Sequence, residues 1–587
     1  MPFPTFNLAF SATVGRELSR GVTNHMGVPG DRDGRPAASR SVGSLGRGLY
    51  RRRELFRTTA GAAMGAVTLS GIPGGVSAAD EPSIDFSEPL PRAGSLGVNE
   101  AFKAMSFGDA SGAGWTRWTV QWFNVQPEPG ELNLFYFRDD NGESILERQL
   151  ASGLKVAAMV LGTPEWAAET PDLKPGTSVP RGLYEPVFID EEINEDNTWG
   201  YFMYLLASEF AGMMDVFEIW NEVEIPATGS NAVYNTWSGT AEEYYQLVKV
   251  ASEAAKRANP DAKIMISPYS YFKDKDAGGG DRLKWFDEFA SVVKAKGADP
   301  FDYFALNLYR NPHDLWDRYH GGVPVAAEKA DRVGFRARLD AIGAVGKPIW
   351  LTEINAMPYD DPLPGWNPAD RNDGFRITMA EQADYVLQAH ALAFAAGYEK
   401  VFFQALQDDP YPVPDELWGL VRYSDDPEFD QDATRARPAY HAYRIVARFL
   451  ADANRAELHV RKRNDPSGLS KFASRFEWAQ HLAVFHKGSV RASVIWNGTG
   501  QEASISLKAT GTSAILIDNT GSEMALEPGP DGRLTWVLPA AYRHFDLFGG
   551  DPPGYFYIGG RTFVIVEQGV SPSAPVDAQG FLRQDGQ

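Results

Sequence analysis

The chain has 587 residues, 56 Lys and Arg against 77 Asp and Glu for a net charge of −21, 43% hydrophobic residues and no cysteine. That is enough chain for two or more hydrophobic cores, and zero cysteine removes disulfides, thiolate zinc sites, iron–sulfur clusters and cysteine nucleophiles together. The acidity argues against a nucleic-acid binder, which must neutralise phosphates with Lys and Arg.

Charge is unevenly placed. Residues 1–78 hold ten Arg, no Lys and four acids, a net of +6 that leaves −27 for the remainder. The break coincides with Arg51-Arg52-Arg53-Glu54-Leu55-Phe56-Arg57, an Ala/Gly/Leu-rich run from Thr58, and Val76-Ser77-Ala78. This order resembles a bacterial twin-arginine export signal, with cleavage expected after Ala78 and a periplasmic or extracellular product. Gly61, Gly65, Gly71 and Pro73 interrupt the run, so no integral membrane segment is expected once the signal is removed.

After a linker over 79–94, residues 95–450 alternate short apolar runs with longer amphipathic segments, the pattern of βα units around a parallel sheet. Strands are expected near Ser95-Val98 and over Gly114–Trp122, Lys155–Leu161, Val216–Asn221, Lys263–Ser267, Phe301–Leu306, Pro348–Glu353 and Lys400–Ala405. Helical spacing covers Ile145–Ser152, Trp199–Phe210, Ala241–Ala258, Arg282–Lys296, Gly334–Ala344 and Ala380–Ala396. Eight units make a (β/α)8 TIM barrel of the α/β class; a doubly wound open sheet is the runner-up, without a Gly-x-Gly-x-x-Gly to support it. Residues 451–570 carry short alternating segments between Gly, Asn and Pro turns, which reads as an antiparallel β-sandwich. Residues 571–587 read as a flexible polar tail.

In such a barrel the carboxyl ends of the strands face the active site. Two strands end in glutamate: Phe217-Glu218-Ile219-Trp220-Asn221-Glu222 and Pro348-Ile349-Trp350-Leu351-Thr352-Glu353. Paired carboxylates on opposite walls of a pocket suit glycoside cleavage, one attacking the anomeric carbon and the other protonating the leaving oxygen. The plain alternative is that each is a solvated strand end paired with Lys or Arg.

Further motifs stand in order along the chain: Arg117 with Trp122 and Gln126-Pro127-Glu128-Pro129-Gly130, then Thr163-Pro164-Glu165-Trp166-Ala167. Trp418-Gly419-Leu420-Val421-Arg422 and Arg437-Pro438-Ala439-Tyr440-His441-Ala442-Tyr443 follow. Together with the strand-end Trp-Asn-Glu and Thr-Glu, the ensemble resembles clan A of the glycoside hydrolases, most of all family 39 and related exopolysaccharide hydrolases. The resemblance implies a cofactor-independent retaining enzyme acting on a carbohydrate, with Glu222 as acid/base and Glu353 as nucleophile. It implies Asn221 on the sugar 2-hydroxyl and Arg117 beneath Glu353. Asn307 stands where relatives commonly have the His of His-x-Tyr, while Tyr309 is kept. Trp418 would supply a sugar platform that relatives place at the eighth strand, and Trp166 and Trp220 are expected to touch ligand. Glu224 is the second candidate for the acid.

The acidic runs at Arg138–Glu143 and Asp425–Asp430 lack calcium-loop alternation, and nine scattered histidines give no His-x-x-x-His, so no metal is expected. A non-catalytic glycan-binding protein on the same scaffold is the competing class. Which sugar is cleaved rests with the loops 164–198, 223–240, 269–281, 308–334 and 355–380, and neither the sugar nor the oligomeric state is written in the motifs.

Overall fold

The computed structural model describes residues 84–139, 141–171, 176–225, 236–270, 282–309, 311–321, 333–362, 376–409, 417–424, 426, 429–462, 479–541, 558–576 and 581. The twin-arginine-like segment lies outside the described residues. Eight strands, β1 (Ala93–Asn99), β2 (Ala113–Gln121), β3 (Lys155–Leu161), β4 (Val216–Ile219), β5 (Lys263–Ser270), β6 (Tyr303–Leu308), β7 (Ile349–Ile354) and β8 (Lys400–Phe403), form one closed barrel. Each pairs in parallel with the next, and β8 closes on β1.

Helices α1 (Met105–Ala110), α2 (Ile145–Ala151), α3 (Thr198–Glu209), α4 (Ala241–Ala258) and α5 (Arg282–Lys296) connect successive strands up to β6. Both α6 (Pro312–His320) and α7 (Phe335–Ala341) lie between β6 and β7; α8 (Met379–Ala396) precedes β8, and α9 (Pro438–Ile445) follows it. The two 18-residue helices, α4 and α8, start with reciprocal capping boxes, Thr240 with Glu243 and Thr378 with Glu381. Each box satisfies two otherwise orphaned backbone donors. The segment expected as a loop over 308–334 contains α6. Its Pro at the first turn presets the helical φ, and Leu315 is fully buried, a signal too short to stand out among His and Asp neighbours.

The floor of the barrel is apolar: Ala157, Val216, Met265, Ala305, Trp350 and Phe402 pack together, with Trp115 and Tyr303 against them. Side chains on a strand alternate faces, so the residues two positions further along face inward again. From that floor this step reaches Arg117, Met159, Glu218, Ser267, Asn307 and Thr352, all buried. An apolar floor thus gives way to a polar layer toward the carboxyl ends of the strands.

The C-terminal strands are β9 (Arg455–Lys462), β10 (Ala479–Lys487), β11 (Val490–Asn497), β12 (Ala503–Lys508), β13 (Ser513–Asp518), β14 (Glu523–Ala525), β15 (Arg533–Leu538) and β16 (Phe563–Gln568). All pair antiparallel, six in the order β9-β10-β11-β16-β13-β14 and two as β12-β15. The two faces of the larger sheet have different partners. Ala483, Phe485, Val564 and Val566 belong to one hydrophobic cluster with the barrel, whereas Leu482, Val484, Phe563 and Ile565 pack toward Ile505, Leu507, Leu534 and Leu538 of the β12-β15 ribbon. The sheet is therefore buried on both sides, and Leu482–Phe485 of β10 and Phe563–Val566 of β16 are continuous apolar runs rather than the alternation expected. Phe581, within the stretch expected as a flexible tail, is fully buried in the second of these clusters. A single aromatic among polar residues carried too little signal to predict that.

Candidate active site

Arg117, inward on β2, is the centre of the polar layer. Its Nε and Nη2 donate to the two oxygens of Glu218 at 2.7 and 2.8 Å, its Nη1 to Glu353 Oε1 at 2.6 Å, and its Nη2 also to Asn221 Oδ1 at 3.2 Å. Burial alone would lower the guanidinium pKa, but the two carboxylates outweigh it and hold Arg117 firmly protonated. Burial pushes the Glu218 carboxyl up from its ordinary range, and Arg117 opposes that shift.

Glu218 was not singled out from the sequence. The available signal was a charged residue in the middle of the apolar strand Val-Phe-Glu-Ile, two positions from an inward valine. In a strand buried on both faces, such a residue needs a partner of opposite charge.

Glu353 reaches Arg117 because β7 is irregular. Its pairing with β6 shifts between Leu306 and Asn307, so that Asn307 stands opposite Glu353 rather than Thr352. Such an irregularity breaks the strict alternation and re-aims side chains. The consecutive residues Thr352 and Glu353 both make contacts within the site: Thr352 Oγ1 donates to Asn307 Oδ1 at 2.9 Å, while Glu353 Oε2 accepts from the Tyr309 hydroxyl. Burial first, and the Glu353 charge second, raise the Tyr309 phenol well above its usual range, so it stays a donor.

Glu222 lies beyond the end of β4, where the backbone leaves the strand conformation. Trp220 and Glu222 both have positive φ, 71° and 44°. A non-glycine residue held there stores strain that its surroundings must sustain. Asn307 Nδ2 donates to Glu222 Oε1 at 2.9 Å, and Glu222 is half-buried where Glu353 is 3% exposed. Glu224, the competing acid, is engaged elsewhere: its Oε1 accepts from the Ser270 backbone N and hydroxyl, both at 2.7 Å.

Seven of the nine residues singled out from the sequence join directly in this arrangement. Arg117, Asn221, Glu222, Asn307, Tyr309 and Glu353 are linked as above, and Trp418 packs on Tyr309 with ring centroids 5.0 Å apart. Trp418 is anchored through its carbonyl, which accepts from Asn355 Nδ2 at 2.6 Å and from Ala405 N at 3.0 Å. Below it, the fully buried Arg437 bridges Asp408 and Asp361. Trp166 is half-buried, its indole N–H donating to Gln126 O at 3.0 Å.

Trp220 is different. It is fully buried, its ring edge-on to Trp237 at 5.0 Å and its N–H donating to Thr236 O at 3.3 Å. The positive φ turns it out of the strand alternation into packing. Among the described residues, no group of three or more His, Asp or Glu is placed to hold a metal ion. No helix among them is long and apolar enough to cross a membrane.

No protein-family model and no curated protein matches this chain. Among solved structures, a family 39 glycoside hydrolase from the gut symbiont Bacteroides cellulosilyticus WH2 aligns with a TM-score of 0.51 at 18% identity, over 83% of this chain and 82% of that one. A GH30 endoxylanase from Clostridium papyrosolvens C71 (TM-score 0.46, 11% identity, 83% and 99% covered) and a monomeric β-xylosidase from Caulobacter crescentus CB15 (0.43, 12%, 82% and 97%) are more distant. The likeness to the family 39 enzyme is one of fold, a (β/α)8 barrel.

Proposed function

We propose that the protein is a retaining glycoside hydrolase in which Glu353 is the nucleophile and Glu222 the acid/base. The observation that carries this reading is the asymmetry of the two carboxylates. Glu353 is gripped at both oxygens by charged and phenolic donors, which fix its orientation. Glu222 accepts from Asn307 Nδ2 and is the more open of the two to solvent, which suits a group that must exchange a proton with substrate and water.

In the first step Glu353 attacks the anomeric carbon while the bond to the leaving oxygen breaks and Glu222 delivers its proton to that oxygen. In the second, water attacks the same carbon, Glu222 takes its proton, and Glu353 leaves. Asn221, oriented by Arg117, faces the sugar 2-hydroxyl; Trp418 and Trp166 offer ring faces for pyranose C–H surfaces. The substrate is a carbohydrate chain, and no cofactor takes part. The family 39 likeness in fold supports this reading, as do the ordered motifs that first suggested it.

The test is turnover of a panel of aryl glycosides and plant and bacterial polysaccharides by the protein and its Glu353→Gln variant. Cleavage of one glycan, lost by about 10⁴-fold or more in the variant, is expected. Cleavage indifferent to the substitution removes Glu353 as nucleophile, and tight glycan binding without turnover favours a binding protein. Product formed with inverted anomeric configuration overturns the two-step mechanism. Export through the twin-arginine-like segment belongs to the same proposal: the secreted protein is expected to begin at Ala79 on N-terminal sequencing.

A further inference from the structure

We propose that Gln404 donates a hydrogen bond to a neutral hydroxyl of the sugar at which Glu353 attacks, with Asn99 as the positioning residue that turns its amide. The inference rests on the hydrolase reading. Both residues stand in the polar layer of the barrel. Gly97 and Phe402 pair across β1 and β8 at the floor, where a Cβ on Gly97 would meet the Phe402 ring. Asn99 and Gln404, two positions further along each chain segment, therefore face inward again. Asn99 is 2% exposed and Gln404 5%.

Their orientation follows from one backbone carbonyl. Thr352 O, in the peptide that joins Thr352 to Glu353, can only accept, so the Asn99 atom that meets it at 3.0 Å is the amide nitrogen. The same nitrogen donates to Gln404 Oε1 at 2.5 Å, so Gln404 presents its oxygen to Asn99 and turns its own NH2 away. The backbone of Gln404 is held on both sides. Its N donates to Ile354 O at 3.2 Å, and its O accepts from Asn355 Nδ2, which also donates to the carbonyl of Trp418. The amide is thus fixed between the strand of the nucleophile and the ring proposed as a sugar platform.

Other donors of this layer are committed within the protein. Arg117 serves Glu218 and Glu353, Asn307 Nδ2 serves Glu222, and the Thr352 hydroxyl serves Asn307. Gln404 Nε2 has no acceptor among the described residues. Asn99 Oδ1, for its part, is buried without a partner. Such an acceptor is destabilising and native folds keep few of them, so holding Asn99 this way round is a cost that goes with aiming Gln404. In the closed barrel β8 stands four strands from β4, across from Asn221. The two amides therefore meet different edges of one sugar ring. An uncharged N–H matches an uncharged hydroxyl oxygen, which a deoxy sugar lacks.

The experiment is a double-mutant cycle between protein and substrate, read as kcat/KM on the p-nitrophenyl glycoside of the sugar that the panel identifies and on each of its monodeoxy analogues. Gln404→Leu should lower kcat/KM on the intact glycoside by about 10-fold, the worth of one hydrogen bond. On one analogue other than the 2-deoxy sugar, already a poor substrate, the same variant should cause no further loss, because the hydroxyl is gone as well. On the 2-deoxy analogue, which lacks the group that Asn221 faces, the loss should stay as large as on the intact sugar. Asn99→Ala frees the amide to turn and should give the same pattern by a smaller factor. An equal loss on the intact glycoside and on every analogue would mean packing alone and overturns the inference, as does no loss at all. With Glu353→Gln inactive, either of those results leaves the hydrolase reading standing. A Glu353→Gln variant as active as the unaltered protein, or no glycoside cleaved, overturns that reading and this inference with it. Should Gln404→Leu fail to melt cooperatively, Asn99→Ala carries the cycle.

Discussion

Arg117 serves two carboxylates at once, and this makes its removal costly in a predictable way. In Arg117→Met the apolar chain fills the space, but Glu218 and Glu353 are left buried without their cation. Breaking a buried pair by deleting one partner costs about 3–5 kcal/mol, and here both carboxylates lose the same partner. Chemical denaturation at pH 7 should show a loss of that size. Because protonating a carboxylate relieves the loss, the deficit should shrink as the pH falls toward 4. Adding Glu218→Gln to the variant should recover part of the stability, since it removes the more deeply buried unpaired charge; no recovery would mean that Glu218 is solvated as soon as Arg117 is gone.

At the scale of elements, α8 joins the barrel to the C-terminal sheet through polar groups inside an apolar seam. Asp384 accepts from Thr562 N at 2.7 Å, and Gln388 donates to Thr562 Oγ1 at 2.8 Å. Burial raises the Asp384 carboxyl well above the usual range, outweighing the Thr562 hydrogen bond. A carboxyl with a raised folded-state pKa binds its proton more tightly folded than unfolded. Stability is therefore present in full at low pH and falls as the pH climbs from the ordinary aspartate value, near 3.9, toward the raised one. Asp384→Asn keeps an acceptor for Thr562 N and never ionises. Its melting temperature should exceed the parent's at pH 8, with the gap closing toward pH 4; a constant gap would deny the seam any titrating role. A second element, β1, tolerates no side chain at Gly97, where an added Cβ would fall 2.3 Å from the Phe402 ring. Gly97→Ala should displace that ring from the barrel floor and cost roughly 1–3 kcal/mol by thermal unfolding.

For the molecule as a whole, the larger C-terminal sheet shares one continuous hydrophobic cluster with the barrel. Asp452 also caps β1 by accepting from the Gly94 and Ser95 amides at 2.7 and 2.8 Å. A barrel ending near residue 450 would expose the face of α8 that carries Asp384 and Gln388 and lose that cap. It should be recovered only as aggregate; a soluble, cooperatively melting barrel would show that the sheet is an independent appendage. How far the fold could be read in advance follows from how local each signal is. The expected strand Lys155–Leu161 and the helices Ala241–Ala258 and Arg282–Lys296 match the structure end to end, because apolar spacing is repeated several times within each. The strand Arg455–Lys462 was missed although Ala456, Leu458 and Val460 alternate with polar residues through it; these three are only partly buried.

The sequence by itself determined the (β/α)8 barrel and the antiparallel sheet behind it, since periods of 2 and 3.6 and the turn residues between them are properties of neighbours along the chain. It also placed Glu222 and Glu353 at strand ends, while the place of Arg117 beneath Glu353 came from the family resemblance. Only the tertiary structure decided that Glu218 shares the guanidinium, that the irregular pairing of β7 with β6 lets Thr352 and Glu353 both make contacts within the site, and that a positive φ sends Trp220 into packing. These depend on closing the barrel, which brings residues more than a hundred positions apart into hydrogen-bonding distance. They also depend on local departures from regular geometry, which are stable only when the neighbours that enforce them are in place.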